Sequence, residues 1–170
     1  MQSAGAMAFW RYALWLYAKP GVKDTSHRLQ DEFGLDVNLL LFCLWAAAAG
    51  YGALPPARLQ AALNALDPWR AHVIAPLRSA RRALKTLSLE GGAGAEELRV
   101  RILNEEIETE KLGQALIIKA GLDGLSNDQS PSADAAKDNL LLYCRLADVD
   151  SNEDAIALVD ALWRLVFVPR

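Results

Sequence analysis

At 170 residues, 52% hydrophobic and 23% charged, the chain is sized for one globular domain with a real core. A net charge of −3 and a pI near 5.4 exclude a general nucleic-acid binder, which needs a basic footprint. The charge is uneven, with ten Lys/Arg against six Asp/Glu in residues 1–90 and eight against fifteen in residues 91–170. Such a basic half and acidic half are expected to pack against each other.

The first predicted element is "MAFWRYALWLYA", apolar except for Arg11 and stopped by Lys19-Pro20-Gly21. Met7, Trp10, Leu14 and Tyr17 form one helical stripe, and Phe9, Ala13 and Leu16 form another beside it. Arg11 and Trp15, four apart, are spaced for a cation–π contact. The second helix spans Val22 to Phe33, with Val22, Ser26, Leu29 and Phe33 inward and His27 outward.

Gly34 sits where a helix stop should sit, free to take a positive φ. Asp36 is the natural N-cap of the third helix, and Leu35 with Leu40 makes the hydrophobic-staple pair. The run Leu39 to Ala49 holds eleven apolar residues, too few to span a bilayer and right for a buried helix. Asn38, in the first turn of that helix, must find partners if buried, and Gln30 is the expected companion.

Pro55-Pro56 opens a short helix. Asp67-Pro68 reads as an N-cap followed by proline at the first position of another helix, which Pro76 should break or kink. That helix continues with Val73, Leu77, Ala80, Leu84 and Leu87 inward. A Gly-rich loop, 89–95, is the expected seam between the two halves. The helix after it, about Glu96 to Ala120, shows the face Leu98, Ile102, Glu105, Thr109, Leu112 and Leu116. A polar loop follows, and Ser130-Pro131 starts a helix to about Leu146. Ser151 to Asp154 resembles a capping box that opens the last helix, through Phe167. The expected fold is therefore all-α, a single bundle of about eight helices spanning residues 1–170.

If the Leu98–Leu116 face packs inward, Glu105 and Thr109 are buried. Arg78, Arg81, Arg82 and Lys85 are then natural partners for Glu105, as a structural ion pair first and a functional carboxylate second. A helical-bundle di-metal site wants Glu-x-x-His on two helices, and the chain has two histidines, His27 and His72, and no such motif. No metal site is expected. Phosphate-cradle, dinucleotide and nucleophile-elbow motifs are absent, so neither a cofactor nor a catalytic set is expected. Cys43 and Cys144 sit in apolar stretches without Cys-x-x-Cys spacing and read as buried free thiols. With no secretory signal pattern, the expected location is cytoplasmic.

"FWRYALWLYAKPGV", "LQDEFGLDVNLLLFCLWAA" and "PLRSARRALK" resemble a mainly proteobacterial family known only as a domain of unknown function. The resemblance covers roughly the first two-thirds of the chain. It implies a small bacterial cytosolic protein and transfers no activity.

The leading expectation is a non-catalytic cytosolic protein that binds a protein partner, with no nucleic acid, no transmembrane segment and no peripheral membrane contact. The alternative is a small-molecule binder or enzyme with a buried polar pocket around Asn38 and Glu105. The candidate contact residues are Gln30, Asn38, Arg78, Arg81, Glu105 and Thr109. A closed apolar core with Glu105 paired favours the first reading, and an open cavity lined by Asn38, Glu105 and Arg81 favours the second.

Overall fold

Side-chain caps from Asp36, Ser132 and Asn152 start three of the helices. The computed structural model describes residues 4–168 and, of residues 88–91, the backbone alone, so what was expected of side chains there lies outside the described residues. It contains seven α-helices and, among the described residues, no strand: α1 (Ala4–Tyr17), α2 (Val22–Phe33), α3 (Val37–Ala48), α4 (Pro56–Trp69), α5 (Ala75–Gly121), α6 (Ala133–Leu146) and α7 (Glu153–Phe167).

The α2–α3 corner has the predicted chemistry. Gly34 adopts φ 72°, its N–H donates to the Gln30 carbonyl at 2.9 Å, and the Leu35 N–H reaches the Leu29 carbonyl at 3.2 Å. Asp36 Oδ1 accepts from the amides of Asn38 (2.8 Å) and Leu39 (3.4 Å). Leu35 and Leu40 are both fully buried. The backbone N–H of Asp36 donates to the Tyr143 hydroxyl at 2.7 Å, which ties the corner to α6.

α3 is buried on nearly every side and forms the axis of the molecule, with α1, α2, α5 and α6 around it. α7 closes the far side across α2 and α6. Phe9 of α1 packs edge-on to Phe42 and against Trp45. α5 approaches α3 through Gly121, where a Cβ would lie 2.7 Å from Phe42 Cζ and 3.2 Å from Ala62 Cβ. Asn139 of α6 accepts from the Leu54 amide (2.7 Å) and donates to the carbonyls of Cys43 and Gly52, anchoring the turn after α3.

Several boundaries differ from expectation. No helix starts at Asp67; α4 runs through Pro68. The irregularity lies just beyond, where Arg70–Ile74 forms a wide π turn and the Ala75 N–H donates to the Arg70 carbonyl. Pro76 explains it, because its ring lacks an N–H and crowds the preceding turn, and an extra residue per turn relieves both. The expected loop 89–95 contracts to one left-handed residue, Gly92 (φ 63°, ψ −155°), so two expected helices run on as the arms of α5. Ion pairs joining Arg78 and Arg81 to Glu106 show that the arms lie antiparallel. The polar loop before α6 is pinned, with Gln129 N–H on the Gly50 carbonyl at 3.1 Å. α7 is capped by Asn152 on the Ala155 amide rather than by Ser151, since asparagine caps as well as serine and sits at the right offset. In α1, Lys19 rather than Arg11 covers the Trp15 ring, at 4.3 Å. Among the described residues no helix is long and apolar enough to cross a membrane.

Candidate functional site

Where α1, the start of α3, the π turn and both arms of α5 converge, they leave an open cleft of about 790 Å³. The two stripes of α1 divide the work. Phe9 and Leu16 enter the core, Trp10, Leu14 and Tyr17 face the cleft, and the buried Ala13 lies at the floor between them. The π turn contributes Arg70, Ala71 and Ile74, aimed there by its wider winding.

One wall is a continuous polar chain. Arg81 Nε donates to Glu106 Oε2 at 2.5 Å, and Arg78 Nε donates to Glu106 Oε1 at 3.2 Å. Arg78 Nη2 donates to Glu110 Oε1 at 2.7 Å. Asn38 Nδ2 donates to Glu110 Oε2 at 2.5 Å, and Gln114 Nε2 donates to Asn38 Oδ1 at 2.8 Å. The direction of the chain follows from its charged end. An ionised carboxylate only accepts, so Asn38 must offer Glu110 its amide nitrogen and present its oxygen to Gln114. Gln114 Oε1 is then left over, buried and without a hydrogen-bond partner among the described residues.

The two glutamates of this wall are held differently. Burial would raise the Glu106 pKa, but hydrogen bonds and charge from Arg81 and Arg78 outweigh it and hold the carboxyl below the usual range. For Glu110, burial wins over Asn38 and Arg78, and the neighbouring Asp36 and Glu106 push the same way, so its pKa is raised. Asp36 is also raised, by burial, against the pull of Arg70, the Asn38 and Leu39 amides and Arg78. Tyr17 is pushed up to about 12, by burial first and then by Glu110 and Asp36.

The sequence candidates separate cleanly. Gln30, Asn38, Arg78 and Arg81 line the cleft. Gln30 does not partner Asn38; its amide lies 3.5 Å from Asp31 Oδ1. Glu105 is exposed and lies off the cleft, so the expected inward face is wrong by one residue. Thr109 is also off the cleft: its hydroxyl donates to the Glu106 carbonyl and its own carbonyl accepts from Trp69 Nε1. The true inward face runs Glu106, Glu110, Gly113, Ile117, with Gln114 and Ile118 beside it. Two glutamates and a glycine made that face look polar, while Leu98 and Leu112, on the expected face, are exposed. Gly113 belongs inward because Leu66 and Trp69 approach within 3.2 and 3.3 Å of where its Cβ would stand.

Glu106, Glu110 and Gln114 are therefore the site residues that the sequence reading passed over. Their common signal was i, i+4, i+8 spacing of hydrogen-bonding side chains on one helix facing a basic run. Elsewhere, Cys43 and Cys144 are buried free thiols. Burial pushes the Cys43 thiol far up and the Cys144 thiol to about 11, which leaves both inert. Among the described residues no group of three or more His, Cys, Asp or Glu is placed to hold a metal ion.

Residues 8–117, which carry all of the cleft's polar chain, match the family described as Protein of unknown function (DUF2390). No curated protein and no solved structure matches the chain.

Proposed function

The chain belongs to the DUF2390 family, and we propose from its own geometry that it is a binding protein for a small organic molecule held in the α1–α3–α5 cleft. One observation carries this reading: the chain Gln114–Asn38–Glu110–Arg78–Glu106–Arg81 runs along the wall of a single cleft of about 790 Å³. Polar groups withdrawn from water cost stability unless they are fully partnered, and an apolar wall of the same volume would stabilise the fold at least as well. A partly satisfied chain in a concave pocket of ligand size is the usual construction of a binding site. The buried free thiols support a reducing compartment, such as the bacterial cytoplasm, as its location.

The test is mass spectrometry of small molecules released on denaturing the purified protein. A compound recovered in stoichiometric amount from the wild type, and lost from Asn38→Leu and from the mouth-blocking Leu14→Trp, supports the reading. An empty wild-type protein that no metabolite of a broad panel stabilises against heat sinks it.

A second reading, a protein partner, is favoured by the protruding part of α5. Around Gly92 its arms expose Leu87, Leu98 and Val100, all large apolar side chains. Replacing all three by serine should abolish capture of a partner while leaving the cleft's ligand in place.

A further inference from the structure

The buried charges of the cleft do not balance. Asp36 (8% exposed), Glu106 (6%) and Glu110 face it from α3 and α5. Against these three carboxylates stand two guanidinium groups, Arg78 and Arg81; Glu106 engages both of them, and Arg78 also engages Glu110. Arg70 and Arg82 also line the cleft, but they are exposed, and Arg70, which pulls on Asp36, is shared with Asp67 at 3.0 Å. Water screens such surface charges, so they compensate the interior poorly.

An independent observation points the same way. Gln114 is 3% exposed, lines this cleft, and keeps Oε1 without a partner. Its orientation is imposed by Glu110 through Asn38, so the group left open is an acceptor. At the same end Asp36 meets the α3 amides through Oδ1 alone, and the Glu110 carboxylate, which takes Arg78 and Asn38, keeps lone pairs for a further donor; the Tyr17 hydroxyl lines this end as a donor. α1 supplies Tyr17, whose ring face favours a cation over an anion, Trp10, over whose ring Lys111 Nζ stands at 5.6 Å, and the apolar Leu14, and α5 adds Ile107.

We infer, resting on the reading of the cleft as a ligand site, that the ligand carries a protonated nitrogen, an ammonium or amidinium group. This group lies among Glu110, Asp36 and Gln114, with an apolar body against Trp10, Leu14 and Ile107. A carboxylate or phosphate head in the same position would face three acids and an unpaired carbonyl oxygen, with the neutral Tyr17 hydroxyl too little to offset them. The ligand's charge supplies the cation that the interior lacks, and its N–H groups satisfy the open acceptors.

The experiment is calorimetric titration of the unfolded-and-refolded, ligand-free full chain with three matched compounds: phenethylamine, phenethyl alcohol and phenylacetate. The amine should bind about tenfold more tightly than the alcohol, and the acid more weakly than either. Glu110→Gln and Gln114→Met should each erase most of the amine's margin over the alcohol. Phenylacetate binding as tightly as phenethylamine, or an amine margin that survives in both variants, overturns the inference. Equal binding of amine and alcohol, lost in Leu14→Trp, overturns it while leaving the cleft a ligand site. No binding by any of the three, together with no co-purifying molecule, overturns both.

Discussion

Replacing Glu106 by alanine tests the register of α5 and the polar chain together. Glu106 is nearly buried and receives Arg81 through Nε at 2.5 Å and Nη2 at 3.3 Å, and Arg78 through Nε at 3.2 Å. Charge-assisted hydrogen bonds contribute about 1.5–3 kcal/mol each, and breaking a buried pair costs about 3–5 kcal/mol. The arginines keep 25% and 30% of their side-chain surface, and Arg78 retains Glu110, so water and the remaining acid recover part of that loss. The net cost should be about 2–3 kcal/mol, a fall in Tm of about 4–12 °C for a domain of this size. Urea denaturation at neutral pH measures it, with Glu105→Ala as the paired control. Glu105 is exposed and should change stability by less than about 0.5 kcal/mol. The Glu106 carboxyl is held below its unfolded pKa, so its contribution is complete above the ordinary glutamate pKa and is lost as pH falls through the lowered folded value. The gap between wild type and Glu106→Gln should therefore close only in acid. Equal costs for Glu105→Ala and Glu106→Ala, or a gap unchanged down to the acid transition, would refute the reasoning.

Glu110 should behave oppositely. Its raised pKa means the folded state binds the proton more tightly, so the ionised group destabilises the fold above its folded pKa, and that penalty disappears as pH falls below the ordinary glutamate pKa. Glu110→Gln should unfold at higher urea than wild type at neutral pH and lose that advantage in acid; a midpoint below wild type at neutral pH contradicts this. Gly121→Ala gains about 1 kcal/mol in helix propensity, but its Cβ meets the fully buried Phe42 ring at 2.7 Å, and overpacking costs about 1–3 kcal/mol. A variant with raised Tm would show that α3 and α5 are less tightly packed than described. Asn139→Leu strands the Leu54 amide and two carbonyls in the core and should cost about 2–4 kcal/mol in denaturant titration, whereas a near-neutral result would mean that water or another group takes over.

The α2–α3 corner was legible because its forces are local. Glycine at a positive φ, aspartate before a helix and a leucine pair at staple spacing act within a few residues, so their positions in the chain already state their roles. The same holds for the burial of α3, whose uninterrupted apolar run leaves no face for water. Asn38 was legible too, as an amide at the head of a buried helix that must find partners, although Gln30 proved the wrong partner. The extent of α4 was not, because Pro68 and Pro76 each offered a local reason for a break, and the packing of Trp69 and Ile74 against Gly113 decided between them.

What the chain alone determined was the all-α class, most helix ends, the core helix and the basic and acidic partners drawn from opposite halves. What only the tertiary structure decided was which glutamates meet those arginines. The face of α5 is fixed by Gly113 and Gly121 admitting Leu66, Trp69 and Phe42, side chains remote in sequence. That close approach rotates Glu106 and Glu110 inward and Glu105 out. Hydropathy cannot register it, because glycine faces inward for want of a side chain, and a carboxylate does so only when another element brings its cation.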